Sequence, residues 1–287
     1  PSDPPAGEIL VELPVDGPRA LTGVRTPHGY VLRVHGMCDF MVDLDLGAIE
    51  CRPEPEAEAA YLPLFLGGSV LAFVLGLKGE CVLHASTVEV GNDGSAVAFV
   101  GAAGVGKSTM AGLACASGAR FVADDLLRLS PGPRPGWIGG AAELRLRPNS
   151  MGAVDPTGRG WATRATVDGR VATTPPRSAA ASGPLSAIVL PCPSRSAPFT
   201  TVERLSPADA LLALTRFPRL TVWRCPQALE AQFDGTWRLA RSVPVYLATV
   251  PWGPPFPDGL GLELLSLIGI NLPTTGGSGA AVGAEVR

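Results

Sequence analysis

The run "FVGAAGVGKSTMAGLACASGARFVADD", residues 99–125, restricts what this chain can fold into more than any other stretch. Within it Gly101, Gly106, Lys107 and Ser108 satisfy G-x-x-x-x-G-K-[ST], with a further glycine at Gly104. Glycines carry no Cβ, so consecutive backbone N–H groups can turn inward around a polyphosphate, and the helix that follows adds the partial positive charge of its N-terminus. The cradle is assigned to Gly101, Ala102, Ala103, Gly104, Val105, Gly106, Lys107 and Ser108, with Thr109 a weaker contact to an α-phosphate. Lys107 is placed for the β- and γ-phosphates of ATP and the Ser108 hydroxyl for Mg²⁺. A chain with 35 glycines can produce such a pattern by chance, so the setting decides. An apolar strand precedes the loop, a helix with apolar Met110 and Leu113 follows until Gly118, and a second strand ends in acids, which makes a strand, loop, helix, strand unit of an α/β protein.

The acids are Asp124 and Asp125. A P-loop protein needs a carboxylate near its Mg²⁺, and a strand beside the P-loop strand is the expected source. Adjacent residues of a regular strand face opposite ways, so both reach one site only if the strand ends there. One of Asp124 and Asp125 is expected to stand beside the metal with Ser108 and the other to accept the proton of a substrate; Asp124 is set on the metal side and Asp125, or its neighbour, as the acceptor, with both orders open. Upstream, His84 lies in the apolar run "CVLHASTVEV", where a lone histidine is ordinarily a satisfied core residue. His28 and His35 are read as structural.

Elsewhere, "EILVELPV", "YVLRVHG" and "FMVDLDL" alternate apolar with polar residues between turn formers and predict a small antiparallel sheet in a β-rich amino-terminal subdomain, residues 1–55. Residues 56–270 form the expected catalytic domain, and 271–287 read as a disordered tail. The uncharged run "YLPLFLGGSVLAFVLGL", residues 61–77, is expected to be a core helix interrupted by Gly67 and Gly68, not a membrane span. "CVLHASTVEV" and "SAVAFVG", joined by "GNDG", predict a hairpin. Residues 149–183 lose periodicity and read as a functional loop, with Arg159, Arg164, Arg170 and Arg177 set against Asp155 and Asp168. Ser206 caps a predicted helix, and "PQALEAQFDGTWRLARSVPVYLATV" reads as helix or turn and then a final strand.

A net charge of -3 supplies no field for DNA, RNA or an anionic membrane, so neither is an expected partner. The six cysteines show no metal-ligand spacing and read as buried hydrophobes of a reducing compartment. The polar, proline-rich residues 1–7 do not resemble a secretion signal, so the expected location is the cytoplasm.

Taken together, "LHAS", the hairpin, "GAAGVGKST" and "ARFVADD" resemble the catalytic domain of the bacterial HPr kinase/phosphorylase family, strongly over residues 79–128. The resemblance implies a P-loop kinase of the HPr kinase and phosphoenolpyruvate carboxykinase-like type, a mixed sheet with flanking helices. It further implies transfer of the γ-phosphate of ATP to a serine hydroxyl, and it gives His84 a site role. The family's carboxy-proximal glycine-rich signature has "AAELRLRP" as its nearest counterpart by position, and the amino-terminal region differs from that of the bifunctional enzyme. The chain looks more like the smaller relatives found with peptide-modifying gene sets, including lasso peptide pathways, which implies a peptide or small protein as acceptor. Arg145 and Arg147, two apart, would share one face of a strand and meet the γ-phosphate or the substrate, or else form a solvated sheet face. A small-molecule kinase and a non-catalytic nucleotide-binding module are the rival readings. A homo-oligomer is compatible with all three.

Overall fold

The computed structural model describes residues 5–13, 20–130, 132, 134–141, 143–155, 160–176, 179–253 and 255–272. Arg159, Arg177 and nearly all of the tail expected at 271–287 lie outside these residues. The architecture is mixed α/β, with a five-stranded, a nine-stranded and a three-stranded sheet.

The five-stranded sheet is an antiparallel meander of Glu8–Leu13, Leu21–Thr26, Gly29–Val34, Cys38–Val42 and Ile49–Pro53. Its apolar face, with Leu10, Leu32 and Phe40, shares one core with Val70, Phe73 and Leu75 of the apolar helical run and with Leu220 and Cys225. Phe73 stacks on Trp223 at 5.5 Å between centroids, and a buried side chain of that size contributes roughly 1.5–3 kcal/mol. The run Ala59–Leu77 is long and apolar enough to cross a membrane by length and composition. Here it lies between the meander and the rest of the chain. Gly67 and Gly68 do not break it. Leu66–Val70 widens into a π turn instead, and Leu71–Leu77 resumes the α-helix.

In the nine-stranded sheet, Ala96–Val100 pairs in parallel with the long strand Ser182–Ser194 on one side and antiparallel with Ala85–Glu89 on the other. Alternation divides its neighbours: Val97 and Phe99 enter the core under the helix Lys107–Ala116, while Ala96, Ala98 and Val100 enter the core on the opposite face. The expected hairpin is present, but the strand carrying the acids, Arg120–Ala123, pairs with Ala85–Glu89 and not with the P-loop strand. The hairpin's first strand lies between them.

The ribbon formed by these two outer strands is split in its middle. Thr87 faces Ala123 on one side of the split and Leu83 faces Leu127 on the other, in unchanged register, with Val82–Leu83 paired to Leu127–Leu129 beyond it. The residues between them are His84, Ala85 and Ser86 on one strand and Asp124, Asp125 and Leu126 on the other. His84 donates its backbone N–H to Phe217 O, and its carbonyl accepts from Gly101 N, so both of its own backbone groups find other partners.

Residues 149–183 are not a structureless loop. The described part contains the helix Pro148–Val154 and two strands, Ala162–Ala165 and Val171–Thr174, which build a three-stranded sheet with Leu144–Leu146. Ala162–Ala165 is exposed throughout, so no apolar alternation marks it in the sequence. "LSAIVLP" belongs to the longest strand of the protein, Ser182–Ser194. The Ser206 cap is formed: its Oγ accepts from Asp209 N at 3.2 Å.

Candidate functional site

At the end of Ala96–Val100 the chain turns through the glycine loop, and Gly104 (φ 86°) and Gly106 (φ 92°) take left-handed conformations that a side chain disfavours. A Cβ on Gly106 would also fall 2.1 Å from the six-membered ring of Trp252. Ala102, Ala103 and Gly104 are exposed at the crest of the loop. Lys107 folds back over it and donates from Nζ to Ala102 O at 2.8 Å. Burial pulls its pKa down to about 8, with Asp124 and Asp125 opposing. Thr109 is buried and donates to Ser150 Oγ at 3.2 Å, so its hydroxyl serves the neighbouring helix Pro148–Val154.

Arg120–Ala123 stops one residue before the acids, and Asp125 adopts φ 71°. That kink lets both carboxylates line the same cavity. Asp124 Oδ1 accepts from Ser108 Oγ at 2.8 Å and Ser86 Oγ at 2.5 Å, and its Oδ2 accepts from Arg145 N at 3.0 Å. Asp125 lies one step further from the loop. Its Oδ1 is 3.3 Å from His84 Nε2, and its Oδ2 accepts from Arg219 Nη2 at 2.8 Å and Nε at 3.2 Å, with Arg145 Nη2 at 3.7 Å.

Burial works to raise the pKa of Asp125, but the His84 hydrogen bond and the Arg219 charge outweigh it, and the carboxyl is held well below the usual carboxylate range. His84 is pushed down from its ordinary value, chiefly by burial, so its ring is neutral at pH 7. A neutral ring facing a carboxylate must carry its proton on Nε2.

Arg145 bridges the acids, 3.7 Å from Asp125 and, through Nη1, 3.5 Å from Asp168. Arg147 does not share its strand. The strand ends at Leu146, and Arg147 stands at the N-cap of Pro148–Val154, where its Nη2 lies 3.4 Å from the point a Gly104 Cβ would occupy. Both arginines line the cavity, so they meet at the site by different routes than strand alternation. Neither His28 nor His35 lines it: His28 sits exposed on a turn, and His35 pairs with Thr22 Oγ1 at 2.9 Å.

Sequence reasoning missed Ser86 and Arg219. Ser86 follows His84 by two residues, and that period-2 relation was a usable signal. Arg219 lies 94 residues from Asp125 and had none.

The cavity measures about 810 Å³. Loop, acids and Arg147 line it together with Trp252, which packs over Gly106, and Phe256, whose ring meets that of Trp252 edge-on at 4.9 Å. Leu13, Leu21 and Val34 of the meander, Leu64 and Phe65 of the helical run, and Leu220 add an apolar lining. Among the described residues no three His, Cys, Asp or Glu side chains form a metal cluster.

No family model and no curated protein matches the chain. Among solved structures it is similar to the HPr(Ser) kinase/phosphatase from Coxiella burnetii, at 12% identity over 65% of this chain and 93% of that one, with a TM-score of 0.34. That is a distant structural relationship, and the functional reading below is drawn from the site itself.

Proposed function

We propose that this protein is an ATP-dependent kinase of the HPr kinase-like P-loop type that phosphorylates a serine hydroxyl on a peptide or small protein. One observation carries the reading: a P-loop serine and an acid from a second strand are joined through a single carboxylate oxygen, with another acid one residue away and one step further out. Glycine amides and Lys107 grip the triphosphate. Ser108 Oγ and Asp124 are hard oxygen donors already within 2.8 Å of each other, a donor set that suits Mg²⁺ completed by phosphate oxygens and water. When bound, that ion neutralises charge on the phosphates.

Asp125 then faces the acceptor. A bond forms from the acceptor oxygen to the γ-phosphorus as the bond to the β,γ-bridging oxygen breaks, ADP leaves, and the hydroxyl proton passes to Asp125. A carboxylate of depressed pKa is a weak base, which suffices where proton loss comes late in a loose transition state. It is also fully ionised at neutral pH. His84 holds the carboxylate by donating to it, and Arg145 and Arg147 answer the phosphate charge. In this reading residues 56–270 are the catalytic domain, residues 1–55 an amino-terminal subdomain that closes the acceptor side, and the working compartment the ATP-rich cytoplasm. A precursor peptide of a modification pathway, such as a lasso peptide, fits an acceptor that presents one serine beside apolar residues.

A second reading has its own observation. Leu13, Leu21 and Val34 of the meander and Leu64 and Phe65 of the helical run line the same cavity as the acids, an apolar lining that favours a small apolar alcohol. Incubation with ATP and either serine peptides or small alcohols, followed by mass, separates the two. Lys107→Ala should abolish transfer to either; unaltered transfer would take the loop out of the chemistry. ATP bound and returned intact with every acceptor would leave a regulatory module.

A further inference from the structure

We infer that Arg219 is a positioning residue for Asp125, admitted to the site by the π turn of the apolar helical run through the missing side chain of Gly68. The inference rests on the kinase reading and assigns work to a segment that reading leaves idle. Arg219 is carried on a fixed edge: its backbone N–H donates to Val82 O at 2.9 Å, and Pro218 bridges to Leu83. From there Nε and Nη2 both reach the same oxygen, Oδ2 of Asp125. Over that pair lies Gly68, in the middle of Leu66–Val70. A Cβ on Gly68 would stand 2.6 Å from Arg219 Nη2, closer than real Cβ contacts come, so the guanidinium would have to shift, and 3.1 Å from Asp125 Oδ2, a tight contact. Gly67, one residue away, has nothing within 4 Å of the same position.

The consequence is a division of the carboxylate. Oδ2 is taken by the guanidinium fork, while Oδ1 has His84 alone beside it among the described residues, so Oδ1 is the oxygen with the freer lone pair to receive a proton. The terminal torsion of an aspartate is soft, and without the fork the carboxylate can rotate. A displacement of about 1 Å at a reacting atom is enough for about a hundredfold loss. With both Nε and Nη2 spent on Asp125, Arg219 is assigned to the acid and not to the triphosphate.

The experiment measures ADP formation with saturating ATP and Mg²⁺ in the presence of a serine-peptide library, alongside ATP affinity by calorimetry and melting temperature. Arg219→Gln should lower kcat about 10- to 100-fold with ATP Kd within about twofold, and Arg219→Lys, which keeps the charge but not the fork, should recover part of the loss. Gly68→Ala should reproduce the kcat defect without touching Arg219, whereas Gly67→Ala should match wild type. Should Arg219→Gln fail to fold, Gly68→Ala decides alone. A tenfold weaker ATP Kd in Arg219→Gln makes it a phosphate ligand and overturns the inference, as does full kcat in Gly68→Ala. Wild-type protein that forms no ADP with any acceptor removes the kinase reading, and the inference with it. Active wild type with unaffected variants removes the inference alone.

Discussion

Asp124→Asn separates the roles of the two acids. Arg145 N–H is a fixed donor to Asp124 Oδ2, so an asparagine must turn its carbonyl toward that amide and its NH₂ toward Ser86 and Ser108. Both hydroxyls can rotate to accept, so three hydrogen bonds survive in changed form. Each passes from a bond to a charged group, about 1.5–3 kcal/mol, to a neutral one, about 0.5–1.5 kcal/mol, a loss of about 1 kcal/mol apiece. Removing the desolvation of a half-buried charged group offsets part of this, leaving a net destabilisation of about 1–2 kcal/mol. At about 2–4 °C per kcal/mol the ligand-free protein should melt only a few degrees lower. The larger effect is on ligand linkage. At a hundredfold excess over Kd, a ligand of the native state adds about 2.7 kcal/mol. In thermal melts Asp124→Asn should keep the gain from ATP alone and lose the increment that Mg²⁺ adds. Asp125→Asn should keep both while losing most turnover. A full Mg²⁺ increment in Asp124→Asn, or its loss in Asp125→Asn, would reverse the assignment of the pair.

Trp252 packs over Gly106 of the loop with Phe256 beside it, where the base of a nucleotide would stack. Trp252→Ala should weaken ATP by about 1–3 kcal/mol while leaving inorganic triphosphate affinity unchanged, and an equal loss for both would place the ring elsewhere. Lys107, near pKa 8, is partly neutral above that pH, and a triphosphate beside it favours the charged form. ATP binding should therefore take up a proton fraction that rises from pH 7 to pH 9, read by calorimetry in buffers of different ionisation enthalpy; uptake flat across that range contradicts it. Cys81 and Cys115 are buried, with thiols pushed up to about 12, whereas Cys192 is exposed. A thiol reagent should modify Cys192 in the native protein and reach Cys81 and Cys115 only after denaturation, as followed by peptide mass.

Local chemistry made the loop legible. Glycines at left-handed positions, a lysine and a serine at the start of a helix, and an apolar strand ahead of them are all short-range requirements, so the sequence alone determined the strand, glycine loop and helix and the Ser206 cap. The alternation of residues 8–50 likewise predicted strands without folding anything. Tertiary structure decided the rest. The spacing of "VADD" could state that both acids meet only at a strand end, but the split ribbon and the left-handed turn at Asp125 are what bring them together. Arg219 and Gly68 lie far along the chain from Asp125 in opposite directions, and no pattern of neighbours encodes a contact made only when sheet, helix and loop close on one another. The fully exposed strand Ala162–Ala165 left no burial signal to read. What a residue does through its own backbone and its nearest neighbours is written in order along the chain; which carboxylate oxygen takes the arginine and which faces the histidine is set by packing between distant segments.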